Sequence, residues 1–249
     1  MNISLAAETI FHIGNFAVTN SLLVALLVAG GFIVLAVVFR SRQLTSVPRG
    51  LQNVLETIVE GALDFITSIT GNREQANKFF ALVVTIFFFV LFSNWFGLLP
   101  GVGSIGLNEV EEGRTVLVPF FRSASADLNG TLAIALVSVI GTQIFGIATI
   151  GIFKHAAKYI NFRSPVMFFV GILEAVSELA RVISFSFRLF GNVFAGEVLL
   201  IVVLFLVPFI APLPFLFLEV FVGIVQALVF ALLTLVFLTM AVTDHSAAH

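Results

Sequence analysis

The most constraining feature of the sequence is its long stretches without a single charged residue. Residues 9–39, 79–99 and 130–153 carry no Asp, Glu, Lys or Arg, and an almost continuous apolar tract follows from 164 to 242. About 20 apolar residues suffice to cross roughly 30 Å of hydrocarbon as a helix. Only 10% of the 249 residues are charged, against roughly 25% in a soluble domain, so a water-soluble fold is excluded. Twelve Lys+Arg against 14 Asp+Glu give a net charge of −2, which offers no basic excess for a nucleic-acid partner. The absence of cysteine removes disulfides, thiolate metal sites and a cysteine nucleophile together.

The punctuation of these tracts defines the expected fold class: an all-α integral membrane protein in one polytopic domain over residues 1–249. It has about five transmembrane helices and one amphipathic surface helix, and its last two spans form a long tilted hairpin. The first ten residues lack a basic n-region and read as mature protein. The second half of the 9–39 run is the first span; Arg40, Arg42 and Arg49 follow it, with Pro48 and Gly50 as breakers. Residues 51–70 differ in kind. Leu51, Leu55, Ile58, Ala62 and Ile69 make an apolar stripe at helical spacing, while Glu56, Glu60 and Asp64 recur every fourth residue on another face. Surface-lying membrane helices usually carry a basic polar face, so an acidic one reads as a docking face for a protein or as a solvated surface.

Residues 79–99 form the second span, stopped by Pro100 and Gly101, and 130–153 the third; the segment 101–129 between them is a polar outer loop. Pro208, Pro212 and Pro214 mark the turn of the final hairpin, about 164–242. Its first arm, 164–207, would be about 66 Å long, far more than the bilayer core, so its start lies outside or the helix is steeply tilted. With five spans, Arg40, Arg42, Arg49, Arg73, Lys78, Lys154, Lys158 and Arg163 fall on one side, against Arg114 and Arg122 on the other. The positive-inside rule then puts the N-terminus outside and residues 243–249 in the cytoplasm.

Five ionisable groups occupy one apolar helix: Glu174, Glu178, Arg181, Arg188 and Glu197. At 100° per residue, Glu174, Glu178, Arg181 and Asn192 fall within about 80° of Arg188, whereas Glu197 lies about 180° round. On the last span Glu219 and Gln226, seven apart, share a face. A guanidinium at membrane depth is expensive and cannot shed its proton, so it needs an anion, resident or visiting. Arg181 can satisfy itself with Glu174 and Glu178. Arg188 has no carboxylate three or four positions away, although an ion pair with another part of its own chain remains open. Glu174 lies about 21 Å along the axis on one side of Arg188 and Glu197 about 13 Å on the other. Carboxylates on different faces flanking a fixed cation suit two polar access routes that do not meet.

The run Arg188-Leu189-Phe190-Gly191-Asn192, followed by Ala195-Gly196-Glu197, resembles the signature of the a-subunit family of F-type ATP synthases. Glu174, Gln226, the Pro48-to-Asn53 stretch and Ser93-Asn94-Trp95 extend the resemblance, which covers about residues 18–240. It implies a stationary, non-catalytic, proton-translocating subunit whose last two spans curve along a rotating ring. Its implied partners are the c-subunit rotor ring, b-type peripheral-stalk subunits and the rest of the ATP synthase complex, in the bilayer of a bacterial inner membrane. By the same resemblance Arg188 faces the rotor carboxylate, Glu197 with Glu219 and Gln226 lines an outer half-channel, and Glu174 belongs to a cytoplasmic one. Asn192 is part of the signature; Glu178 and Arg181 are secondary candidates. Position 219 is often His in bacterial members with a carboxylate at 197, and here both are Glu; if near, they would share a proton.

Two readings from other classes compete. In a self-contained secondary transporter Arg188 would bind an anionic substrate, but no internal repeat is evident; in a scaffold the charges would only pair helices. The Gly101-to-Gly106 match to G-x-G-x-x-G follows a membrane span with no βαβ context and reads as a turn. The four scattered histidines do not suggest a metal site, the Asn2 and Asn129 sequons carry little weight, and no H-E-x-x-H or G-x-S-x-G motif occurs. No cofactor is expected.

Overall fold

The computed structural model describes residues 7–41, 50–99, 101–102, 105–111, 114–159, 164–208 and 210–242. Arg42, Pro48, Arg49, Pro100, Arg163 and residues 243–249, all used above, lie outside the described residues. The chain is an all-α membrane protein with two small hairpins. Five helices are long and apolar enough to cross a membrane: α1 (Asn20–Ser41), α3 (Arg73–Gly97), α4 (Leu128–Ile150), α6 (Pro165–Leu206) and α7 (Pro212–Val242).

The start and stop signals of these helices are chemical. Asn72 caps α3 by accepting from the Glu74 and Gln75 amides, Asp127 caps α4 through Asn129 N, and Ser164 caps α6 through Met167 N with Pro165 at its first turn. The amphipathic α2 (Leu51–Thr70) ends on Gly71 in the left-handed region. It folds back along α3, where Arg73 pairs with Asp64. Only Ile66 of α2 is buried; of the expected apolar stripe Leu51, Ile58 and Ile69 are exposed and Leu55 and Ala62 half-buried.

Three elements add detail to the expected outline. The first half of the 9–39 run, ahead of the span, is a hairpin: β1 (Thr9–Ile13) and β2 (Phe16–Thr19) pair antiparallel about a turn at Gly14, whose φ is +63°. The polar outer loop contains a second hairpin, β3 (Gly106–Glu111) with β4 (Arg114–Pro119), followed by a single 3-10 turn at Ala124–Ala126. The third span stops at Ile150 because Gly151 (φ +91°) breaks it, and a short separate helix, α5 (Ile152–Tyr159), follows.

Helix α7 lies at the centre, against α3, α4 and α6. One apolar core joins Ile86, Val90, Leu91, Ile134, Ala135, Phe185, Leu189, Ala227 and Phe230; a second gathers Ile66, Phe79, Val83, Ala231, Leu235 and Leu238. In lipid, apolar burial drives helix association weakly, and small polar residues act as glue. Here Ser138 and Thr234 hydroxyls meet at 2.7 Å and Thr131 and Ser186 at 3.0 Å. Asn94 Nδ2 donates to the Gly223 carbonyl at 3.4 Å and Trp95 Nε1 to that of Val220 at 3.2 Å. Helix α6, 42 residues long, measures about 63 Å, and α7 runs antiparallel to it as the second arm of the expected hairpin.

Candidate functional site

The register of the α6–α7 hairpin sets the site. Phe185 meets Phe230 with ring centroids 4.9 Å apart, and Gly196 faces Glu219, whose carboxylate occupies the space a side chain at 196 would fill. Both pairs belong to one antiparallel register, so Gln226 lies level with Leu189, beside Arg188 on the chain. Gln226 is half-buried; Arg188 is exposed and has no ion pair among the described residues. The stripe around it is uncovered and small: Ala180, Ser184, Gly191, Asn192 and Ala195 are all exposed. Leu189, next to Arg188, is buried in the core, so the cation sits on the outer surface of a tightly packed layer.

Two cavities lie on either side of that layer. The first, about 500 Å³, opens at the hairpin end of the bundle. Glu197 and Glu219 line it together with Asn94, Arg122, Ser123 and Gly223. Glu197 does not share a hydrogen bond with Glu219. Its Oε2 instead accepts from Arg122 Nε at 3.2 Å and from the same guanidinium's NH2 at 3.1 Å. Arg122, counted above as an outer loop charge, is only 8% exposed and reaches into the bundle. Glu219 has neither a hydrogen bond nor an ion pair among the described residues, and Asn94 Oδ1, which is buried, lacks a partner.

The second cavity, about 180 Å³, lies at the opposite end, between α4, α5, α6 and α7. Helix α5 closes it: the backbone of Gly171 on α6 lies so near the Tyr159 carbonyl that a Cβ at 171 would collide with it. Lys158 Nζ contacts Glu174 Oε1 at 2.7 Å; Arg181 contacts Glu178 at 2.8 Å and Glu174 at 3.9 Å, and lies 4.3 Å from the centroid of the Phe237 ring. The self-contained Arg181 pairing expected from the sequence is therefore present, with Lys158 added. Across the cavity Gln143 Oε1 accepts from His155 Nε2 at 2.5 Å and from the Tyr159 hydroxyl at 3.1 Å, and Glu178 Oε1 lies 3.3 Å from that hydroxyl. Burial, reinforced by the Glu178 charge, pushes the Tyr159 phenol up to about 12, so it serves as a donor and not as an anion.

Burial holds His155 below its ordinary 6.5, Lys158 adds to this, and Glu178 opposes it. The folded state thus resists a proton that the unfolded chain accepts. The stability so gained is complete above pH 6.5 and is lost as the pH falls through that value toward the folded one. Acidification from about pH 7.5 to about pH 5.5 should therefore lower the thermal midpoint of the purified wild type more than that of His155→Gln, which cannot titrate there. Equal shifts in the two proteins would remove His155 as the cause.

The predicted stripe on α6 is thus divided. Glu174, Glu178 and Arg181 turn into the second cavity under α5, Arg188 and Asn192 stay outside, and Glu197, on the opposite face, enters the first cavity. On α6 the cavities come nearest at Arg181 and Val193, twelve residues or about 18 Å apart along the axis. The intervening space is filled by Phe185, Leu189, Phe230 and their neighbours. Sequence reasoning missed Arg122 at Glu197 and the Gln143, His155, Lys158 and Tyr159 set around Glu174. Lys158 and Arg122 were visible as charges, but nothing in their spacing pointed to partners 16 and 75 residues away.

Residues 18–239 match the family described as ATP synthase A chain. Similar proteins include the ATP synthase subunit a of Syntrophobacter fumaroxidans, 38% identical over 207 residues that cover 81% of this chain and 76% of that one. The subunit a of Campylobacter concisus is 37% identical over 88% of each chain. That of Campylobacter fetus subsp. fetus is 37% identical over 96% of this chain and 95% of its own.

Proposed function

The chain belongs to the ATP synthase A chain family, and from that premise we propose that it is the stationary, non-catalytic subunit that carries protons to and from a c-subunit rotor ring. The alternative of a self-contained transporter finds no support in the relatives. The observation that carries the reading is an exposed Arg188, without an ion pair among the described residues, on a strip of small residues outside a packed layer that separates two polar cavities. Small side chains allow a second helix to approach closely, and the cation awaits an anion from that helix.

A proton enters the first cavity past Glu219 and Glu197 and neutralises a carboxylate on a ring subunit, which can then rotate into lipid, where a bare charge is costly. After nearly a full turn the carboxylate reaches the second route, lined by Glu174, and gives up its proton. Arg188 holds the resulting anion and bars direct passage between the routes. Asn192 and Gln226 flank it, and Glu178 and Arg181 support Glu174. With the basic-rich end inside, the 500 Å³ cavity faces out of the cell. The b-type stalk subunits, and the acidic face of α2 as a docking surface for protein, complete the assembly in a bacterial inner membrane.

Inverted membrane vesicles with the intact complex should acidify on addition of ATP, and vesicles that hydrolyse ATP without acidifying would overturn the reading. Because the chain has no native cysteine, a single Ala195→Cys, exposed on the Arg188 face, gives a clean second test. It should cross-link to single cysteines placed along the outer helix of the ring subunit, and reaction with no ring position would reject this face as the contact.

A further inference from the structure

We infer that Arg122 is a positioning residue: it fixes Glu197 as a stationary counter-charge in the outer cavity, so that Glu219 alone exchanges the travelling proton. This rests on the proposed proton route and deepens it. Arg122 arrives from the segment after β4, not from a membrane helix, yet it is almost fully buried. The segment is pinned beside it. Ser123 Oγ donates to the Ser93 carbonyl of α3 at 3.0 Å, and Asp127 Oδ2 accepts from Ser21 Oγ of α1 at 2.7 Å. The Nε and NH2 groups of the guanidinium converge on a single oxygen of Glu197.

A guanidinium does not lose its proton under any working condition, and burying one without an anion is strongly unfavourable. Removal of Arg122 therefore takes from Glu197 its cation, and removal of Glu197 takes from Arg122 the carboxylate that meets both its Nε and its NH2. The pair makes the two carboxylates of the cavity unequal. Glu197 is held by a permanent cation, whereas Glu219, seated against Gly196, has no such partner among the described residues. The charged groups lining this cavity are Glu8, Arg122, Glu197 and Glu219. With Arg122 and Glu197 compensating each other, a proton on Glu219 passes a locally neutral pair, not a second exchanging site that would retain it. In this arrangement Arg122 acts only through Glu197 and touches no transferred proton.

The test is passive proton conduction through the membrane sector of the assembled complex, in vesicles stripped of the soluble ATPase and driven by a potassium diffusion potential. Arg122→Gln should reduce conduction by about tenfold or more, as for other reacting groups displaced by an ångström. Arg122→Lys, which keeps the charge, should recover part of it. The double variant Arg122→Gln/Glu197→Gln should conduct no worse than Glu197→Gln alone, because both changes remove one unit. Wild-type conduction in Arg122→Gln, failure of Lys to recover more than Gln, or additive losses in the double variant would each overturn the inference, the last by assigning Arg122 a merely structural role. Absence of conduction in the wild-type sector would instead strike the proposed function itself.

Discussion

ATP-driven acidification of vesicles should fall to background when Arg188 is replaced by alanine, while ATP hydrolysis by the soluble sector continues. Arg188 is exposed and has no ion pair among the described residues, so the substitution breaks none there and leaves the neighbouring core of Phe185, Leu189 and Phe230 in place. What it removes is a permanent charge at the one level of α6 that separates the two cavities. Without it a rotor carboxylate has no counter-ion between losing one proton and gaining the next, and a charge bare of partner at membrane depth costs at least about 2.5–3.5 kcal/mol. A barrier raised by that amount alone slows the step about a hundredfold. The opposing routes also lose the cation that keeps a proton from slipping between them. Each proton crossing 100 mV carries about 2.3 kcal/mol, so a small leak per turn suffices to uncouple the machine. Undiminished, ATP-coupled acidification in Arg188→Ala would sink the assignment.

Glu219→Gln should have the second largest effect, lowering passive conduction by about a hundredfold, the usual loss when a positioned proton-transfer group is removed. Glutamine keeps the shape and the seat against Gly196 but cannot bind and release a proton. The contrast with Glu197→Gln is informative, since that change takes a carboxylate from the buried Arg122 and should damage assembly as well as conduction. Measured on complexes purified to equal subunit content, Glu219→Gln should therefore assemble normally and conduct poorly. Conduction equal to wild type would take Glu219 off the path.

The spans were legible because their signals are redundant: uncharged runs of fixed length, and Pro and Gly at the breaks. The 42-residue α6 and its antiparallel return followed from the same arithmetic. The Gly14-Asn15 pair between Ile13 and Phe16 is a two-residue hairpin signal, and it lies in the first half of the uncharged run, ahead of the part read as a span. Helix α5 is eight residues long, too short to declare itself by periodicity. At the site, Arg188 and its isolation were readable because helical angles relate residues on one helix. The Arg122–Glu197 pair and the set around Glu174 were not, because they join elements whose relative placement depends on packing. The question of whether Glu197 and Glu219 share a proton was posed by the sequence, and its answer required the position of a third residue from a distant segment.

The packed layer between the cavities has an electrical consequence. If water reaches both cavities, the membrane voltage does not fall evenly over the hydrocarbon thickness of roughly 30 Å but mostly over the dry stretch of about 18 Å between Arg181 and Val193. The local field is then about 1.7 times that of an unbroken bilayer at equal voltage, and it is concentrated where Arg188 stands. On the proposed function, the fold then acts as a lens for the driving force, delivering it at the level where the travelling charge would change hands.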